Sequence, residues 1–144
     1  MRSGEMGPVY FHGETMRPFM GEGDLVIVEP VSWEAIRVGD IITYRFEDKF
    51  PTRRVVAIDR GAGTLILRGD SIPGWPDFHV RREDVLGRAA VRIRNGTRVD
   101  RHGVKWRRAA VRALAIQRFA RLARAARWLV RGSLSRAAKV LRLR

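Results

Sequence analysis

Five short runs rich in β-branched and aliphatic residues, each bounded by a turn signal, restrict most of this chain to an antiparallel β architecture. They are Leu25-Val26-Ile27-Val28, Ile41-Ile42-Thr43-Tyr44, Arg54-Val55-Val56-Ala57-Ile58, Thr64-Leu65-Ile66-Leu67 and Ala89-Ala90-Val91-Arg92-Ile93. Runs of four or five such residues are strand-length and too short for helices. Between them stand Gly23-Asp24, Gly39-Asp40, Gly61-Ala62-Gly63, Pro73-Gly74 and Asn95-Gly96, residue types that accept left-handed or tightly turned backbone. Gly61 to Gly63 is the clearest hairpin signal, a short glycine-rich loop between two apolar runs. No helical segment alternates with the strands as a parallel sheet requires, so residues 9–95 predict a mainly β, antiparallel, partly closed sheet.

Beyond this region the charge changes character. Residues 1–103 hold 16 Lys+Arg and all 15 Asp+Glu, a net +1, whereas residues 104–144 hold 13 Lys+Arg and no acid, a net +13. The sequence therefore divides into a β domain over 1–103 with a balanced surface and a cationic tail over 104–144 suited to an anionic partner. Alanine, arginine and leucine dominate the tail, a helix-favouring mixture. Val104, Val111, Leu122 and Leu129 share one face with Leu114 beside it, although Arg118 interrupts that stripe. Gly132-Ser133 predicts a helix stop and a fresh N-cap, and Leu134, Ala137, Ala138 and Leu141 then follow the i, i+3, i+4, i+7 template. The expectation is one long helix followed by one short one.

Several chemistries are disfavoured. With no cysteine, the chain has no disulfide, thiolate nucleophile or cysteine metal cluster. His12, His79 and His102 are too scattered for a metal site, and no cofactor motif is present. The first eleven residues lack the apolar run of a secretory signal. Arginine interrupts the tail too often for a membrane span of roughly 18 to 20 apolar residues. The expected location is cytoplasmic or peripheral on a membrane.

Five boxes, taken in order, are more specific. They are Gly13-x-Thr15-Met16-x-Pro18 with Gly23-Asp24; Val38-Gly39-Asp40-Ile41; Arg53-Arg54-Val55-Val56; Arg68-Gly69-Asp70-Ser71; and Pro76-Asp77 leading to Val85-Leu86-Gly87-Arg88. Over residues 13–88 this pattern resembles the catalytic domain shared by type I signal peptidases and the self-cleaving domain of LexA-type repressors. The resemblance implies a serine nucleophile at the position of Thr15. It implies a general base, lysine or in one branch histidine, at the position of Arg53. Asp70 would support the site with Asp77 as a second acid, and an extended peptide would lie as an added strand near Met16, Pro18 and Val55.

The chain departs from that pattern at both dyad positions. Threonine retains a hydroxyl, but its methyl stiffens χ1 and crowds the attacked carbonyl. Arginine is the graver change, because a guanidinium with pKa above about 12 offers no lone pair to a proton near pH 7. A positioned base is worth roughly 10² to 10⁴ in rate. His12, three residues before Thr15, and His79, just after Asp77, are the candidate substitute bases, with Asp70 or Asp77 to orient them. Both also read as ordinary loop histidines. The preferred reading pairs Arg53 with Asp70 or Asp77 as a static ion pair, which makes the chain a degenerate serine peptidase homologue that still binds peptide. An active endopeptidase using Thr15 is the alternative.

Other signals are weaker. Arg68-Gly69-Asp70 is the integrin-adhesive tripeptide, here absorbed by a box of the resemblance. Trp33, Trp75 and Phe78 read as core or loop anchors before an apolar rim. The tail has three readings: docking its leucines on the β domain, resting on an anionic membrane through Trp106, Phe119 and Trp128, or binding nucleic acid or an acidic protein.

Overall fold

The computed structural model of the chain describes residues 7–74 and 76–141, with side chains to residue 132. Trp75 lies outside the described residues, as do the side chains of the Leu134 to Leu141 pattern. The chain is mainly β, an open, curled antiparallel sheet followed by one helix. The strands are β1 (Gly7–Tyr10), β2 (Leu25–Glu29), β3 (Ile41–Tyr44), β4 (Thr52–Asp59), β5 (Thr64–Arg68), β6 (Phe78–Arg81), β7 (Val85–Arg94) and β8 (Thr97–Asp100). Their order is β1-β2-β7-β3-β4-β5-β6, with β8 added to β7.

All five expected strands form, and the expected glycine loop joins β4 to β5, with Asp59 paired to Thr64. The strand β3 explains why its sequence is continuously apolar rather than alternating. Adjacent side chains point to opposite faces, and here both faces are covered. Ile41 enters one core cluster with Met16, Phe19, Val26 and Val28, while Ile42 enters a second with Tyr44, Val55, Leu65 and Leu67. Three strands escaped the sequence reading because each presents little apolar residue to a core. In β8 Val99 alone is buried, and in β6 Val80 alone. The β7–β8 turn is nevertheless a two-residue Asn95-Gly96 loop with both φ values positive, 49° and 76°, which Asn-Gly tolerates well.

The helix α1 (Val104–Leu141) departs from expectation in two ways. It runs unbroken through Gly132-Ser133, so the tail forms one helix, not two. A helical glycine costs only about 1 kcal/mol relative to alanine, too little to break a run of strong helix formers. The buried face also differs. Val104, Val111, Leu122 and Leu129 are all exposed, and the helix docks instead through Trp106, Ala110, Leu114, Gln117 and Ala120. Trp106 is 3% exposed and meets the Phe19 ring edge-on, centroids 4.8 Å apart. Alanines and glycines make the remaining approach close: Gly39 faces Leu114 and Ala110, and Gly74 faces Ala120. A wheel scored on large apolar residues misses a seam built largely from small ones.

Candidate functional site

Thr15 sits in the connection between β1 and β2, fixed from behind by the loop after β5. Its carbonyl accepts two hydrogen bonds from Ser71, one from the amide and one from the hydroxyl, each 3.0 Å. Gly69 passes so close that a Cβ there would lie 2.7 Å from the Thr15 carbonyl oxygen, a contact only glycine permits. The Thr15 side chain is exposed, and its hydroxyl has no hydrogen-bond partner among the described residues.

A groove of about 690 Å³ opens in front of it. The curl of the sheet brings β1 opposite the start of β4, and the floor is formed by Val26, Val28 and Thr43 from β2 and β3. Thr15, His12 and Arg53 all line this groove, with Tyr10, Phe11, Phe50 and Pro51 as apolar walls. Two strand edges border it. Among the described residues β1 pairs only with β2, and β4 pairs with β5 only from Arg54 onward.

The expected ion pair of Arg53 with Asp70 or Asp77 does not form, and both acids take other arginines. Asp70 takes Arg54 in a bidentate pair, Nε to Oδ1 at 2.8 Å and Nη2 to Oδ2 at 2.6 Å, with both side chains buried. Asp77 pairs with Arg68. Arg53 joins neither. Strand alternation turns Arg54 inward and Arg53 to the other face, where its guanidinium lies 4.0 Å over the Phe78 ring. A guanidinium offers no lone pair to accept a proton. The hydrogen bond from Arg68 holds the Asp77 carboxyl below the usual range, against the opposing effect of burial.

The boxes nonetheless meet in space. Arg54 also donates to the Gly39 carbonyl, and Arg88 reaches Asp40 and Glu29, so buried arginines connect the Gly39-Asp40 turn to the Asp70 loop and to the end of β2. Arg54, Arg68 and Glu22 were missed as site-forming residues. Period-two alternation within Arg53-Arg54 was the signal for the first of them.

Neither histidine is oriented by Asp70 or Asp77. His12 Nδ1 lies 2.9 Å from Glu22 Oε1, and Glu22 also accepts the Gly13 amide. That amide, followed by His12, lowers the Glu22 pKa. His79 stands on β6, exposed, opposite Ile66, and is not among the residues lining the groove. Met16 and Val55, expected to touch substrate, are wholly buried in the two cores, because their apolar side chains point inward from the Thr15 loop and β4. Pro18 lines a separate pocket at the helix seam rather than the groove. Trp33 and Phe78 pack against the second core.

Gln117 joins the tail to this site. It accepts from the Gly74 amide at 2.6 Å and donates to the Gly69 carbonyl at 2.9 Å, bracing the loop that carries Asp70 and Ser71. Trp106 is consumed by the core and unavailable to a membrane, while Phe119 and Trp128 are exposed. Among the described residues no helix is long and apolar enough to cross a membrane, and no three His, Cys, Asp or Glu side chains converge as a metal site would need. No family model, curated protein or solved structure matches the chain.

Proposed function

We propose that this chain binds an extended peptide in the groove between β1 and the start of β4, as a signal-peptidase-like homologue that has lost the ordinary serine peptidase mechanism. One observation carries the reading: Thr15 and Arg53, the two altered dyad positions, line the same groove, and the groove is bordered by strand edges. An added strand would gain main-chain hydrogen bonds along an edge, with apolar side chains seated against Phe11 and Phe50. Arg53 would hold a carbonyl or carboxylate of the peptide and transfer no proton.

Labelled peptide libraries test the proposal by anisotropy and by mass analysis of products. Wild-type chain binds a subset of extended peptides without cutting them, and Phe50→Glu weakens binding at least tenfold. Absence of any bound peptide sinks the reading, and cleavage abolished by Thr15→Ala sinks its non-catalytic part.

A second reading, hydrolysis through Thr15, is supported by the contact between His12 and Glu22 at the rim of the same groove. A carboxylate accepting from Nδ1 leaves Nε2 with its lone pair, the arrangement a general base needs. This reading requires cleavage that Thr15→Ser raises and His12→Ala removes.

For the tail, the exposed Val111, Phe119, Leu122 and Leu129 on an acid-free segment support contact with an anionic membrane surface. Apolar side chains have no comparable role on a nucleic acid backbone. Sedimentation with anionic vesicles should weaken with Phe119→Glu and Leu122→Glu. Vesicle binding that ignores both substitutions excludes this role.

A further inference from the structure

Where α1 crosses the sheet, a second pocket of about 360 Å³ lies between Pro18 and Phe19 on one side and Ala109, Ala113 and Ile116 on the other. Three guanidinium groups line it: Arg92 from β7, and Arg108 and Arg112 one turn apart on α1. None of the three has a carboxylate within salt-bridge distance among the described residues. The nearby acids are already engaged, Asp24 by Arg94 in a bidentate pair and Asp70 by Arg54. Asp70 does line the pocket, but Arg54 holds both its oxygens.

Arg92 is the most constrained of the three. One Nη donates to the Phe19 carbonyl, the guanidinium stacks 4.8 Å from the Phe19 ring centre, and its Nε is buried without an acceptor. Burial, together with the charge of Arg94, pulls its pKa below the ordinary arginine value. Among the described residues the fully buried arginines, Arg54, Arg68 and Arg88, each have a carboxylate, whereas the half-buried Arg92 has none. Here three cations, Arg92 half-buried and Arg108 and Arg112 exposed, share a partly apolar pocket whose lining carboxylate, Asp70, is already held by Arg54, an arrangement whose mutual repulsion an incoming anion would relieve.

We propose that this pocket is a binding site for a phosphate monoester. A tetrahedral dianion presents three terminal oxygens, enough to accept from three guanidiniums arriving from two elements, whereas a carboxylate presents two. The organic part of the ester would lie against Phe19, Ala113 and Ile116. The same chemistry is presented by a soluble phosphate ester and by the headgroup of phosphatidic acid.

Calorimetry of the full chain with phenyl phosphate, and flotation with phosphatidic acid vesicles in phosphatidylcholine, test this site and separate the two sources. Arg112→Gln and Arg108→Gln are compared with Arg118→Gln, which removes the same charge from an exposed position outside the pocket. The expected result is saturable binding of one phenyl phosphate per chain, weakened at least tenfold by either pocket substitution and by less than twofold in Arg118→Gln. Vesicle binding with that same dependence, in the absence of phenyl phosphate binding, also supports the site and identifies the ligand as lipid. Equal weakening by all three substitutions, or no binding in either arm, overturns the proposal.

Discussion

The carbonyl of Thr15 and the amide and hydroxyl of Ser71 are joined by two hydrogen bonds of 3.0 Å, across 56 residues of sequence. This clamp fixes the backbone of Thr15 against the Gly69-Asp70-Ser71 turn. Ser71→Ala removes one bond and keeps the amide, so the expected loss is about 0.5 to 1.5 kcal/mol. Gly69→Ala drives a methyl into the Thr15 carbonyl and should cost more, about 1 to 3 kcal/mol. Urea unfolding of both variants checks the order. Equal effects would mean that the loop retreats from Thr15 freely.

The Asp70 pair makes a sharper prediction. Asp70→Asn leaves the fully buried Arg54 guanidinium without its counter-charge and should cost about 3 to 5 kcal/mol. Replacing both partners by Arg54→Met and Asp70→Leu should recover most of that loss, because no uncompensated charge then stays buried. Denaturant midpoints of the single and double variants measure the coupling. Additive losses would show that the pair acts independently of burial.

Gln117 and Trp106 make the tail part of the fold. Gln117→Leu strands a buried amide at Gly74 and a buried carbonyl at Gly69, each worth about 1 to 3 kcal/mol. Trp106→Ala should cost about 3 to 5 kcal/mol by opening a cavity beside Phe19. A chain ending at Gly103 should therefore lose cooperative thermal unfolding by calorimetry, and a sharp transition in that chain would contradict a shared core.

Acid stability follows from Asp24 and Asp77. Burial works against the Asp24 carboxylate, but hydrogen bonds from Arg94 and the Gly21 amide outweigh it and leave the pKa lowered, and Arg68 lowers that of Asp77. Carboxylates with depressed folded-state pKa values bind fewer protons folded than unfolded. Their stabilisation is complete above about pH 5 and is lost as pH falls through the folded-state values. Asp24→Asn should lower stability at pH 7 by about 1 to 3 kcal/mol and flatten the acid limb of the urea midpoint against pH. An unchanged limb would show that this pair carries no linkage.

Much of this was legible in sequence, for identifiable reasons. Strands such as Thr64-Leu65-Ile66-Leu67 bury enough apolar surface to declare themselves, and Gly61-Ala62-Gly63 marks its turn chemically. The charge division at residue 103 was equally plain, but it concealed that Trp106 belongs to the core. Side-chain direction was the harder part. Which of Arg53 and Arg54 meets Asp70 depends on the register of β4, and the bond from His12 to Glu22 depends on the path of a loop. The docked helix face was hidden because its contacts beyond Trp106 and Leu114 are alanines, one glutamine and opposing glycines, residues that apolar periodicity scores as weak.

The strand β7 holds the sheet together, pairing with β2 along one side and with β3 and then β8 along the other. Until Val85–Arg94 has left the ribosome, the Thr15 half and the Asp70 half of the molecule have no common sheet, and the neighbouring edges of β2 and β3 stand open. During synthesis the groove can be assembled only late, after a lag in which exposed strand edges invite association with other nascent chains. A chaperone would find its window on this protein in that interval.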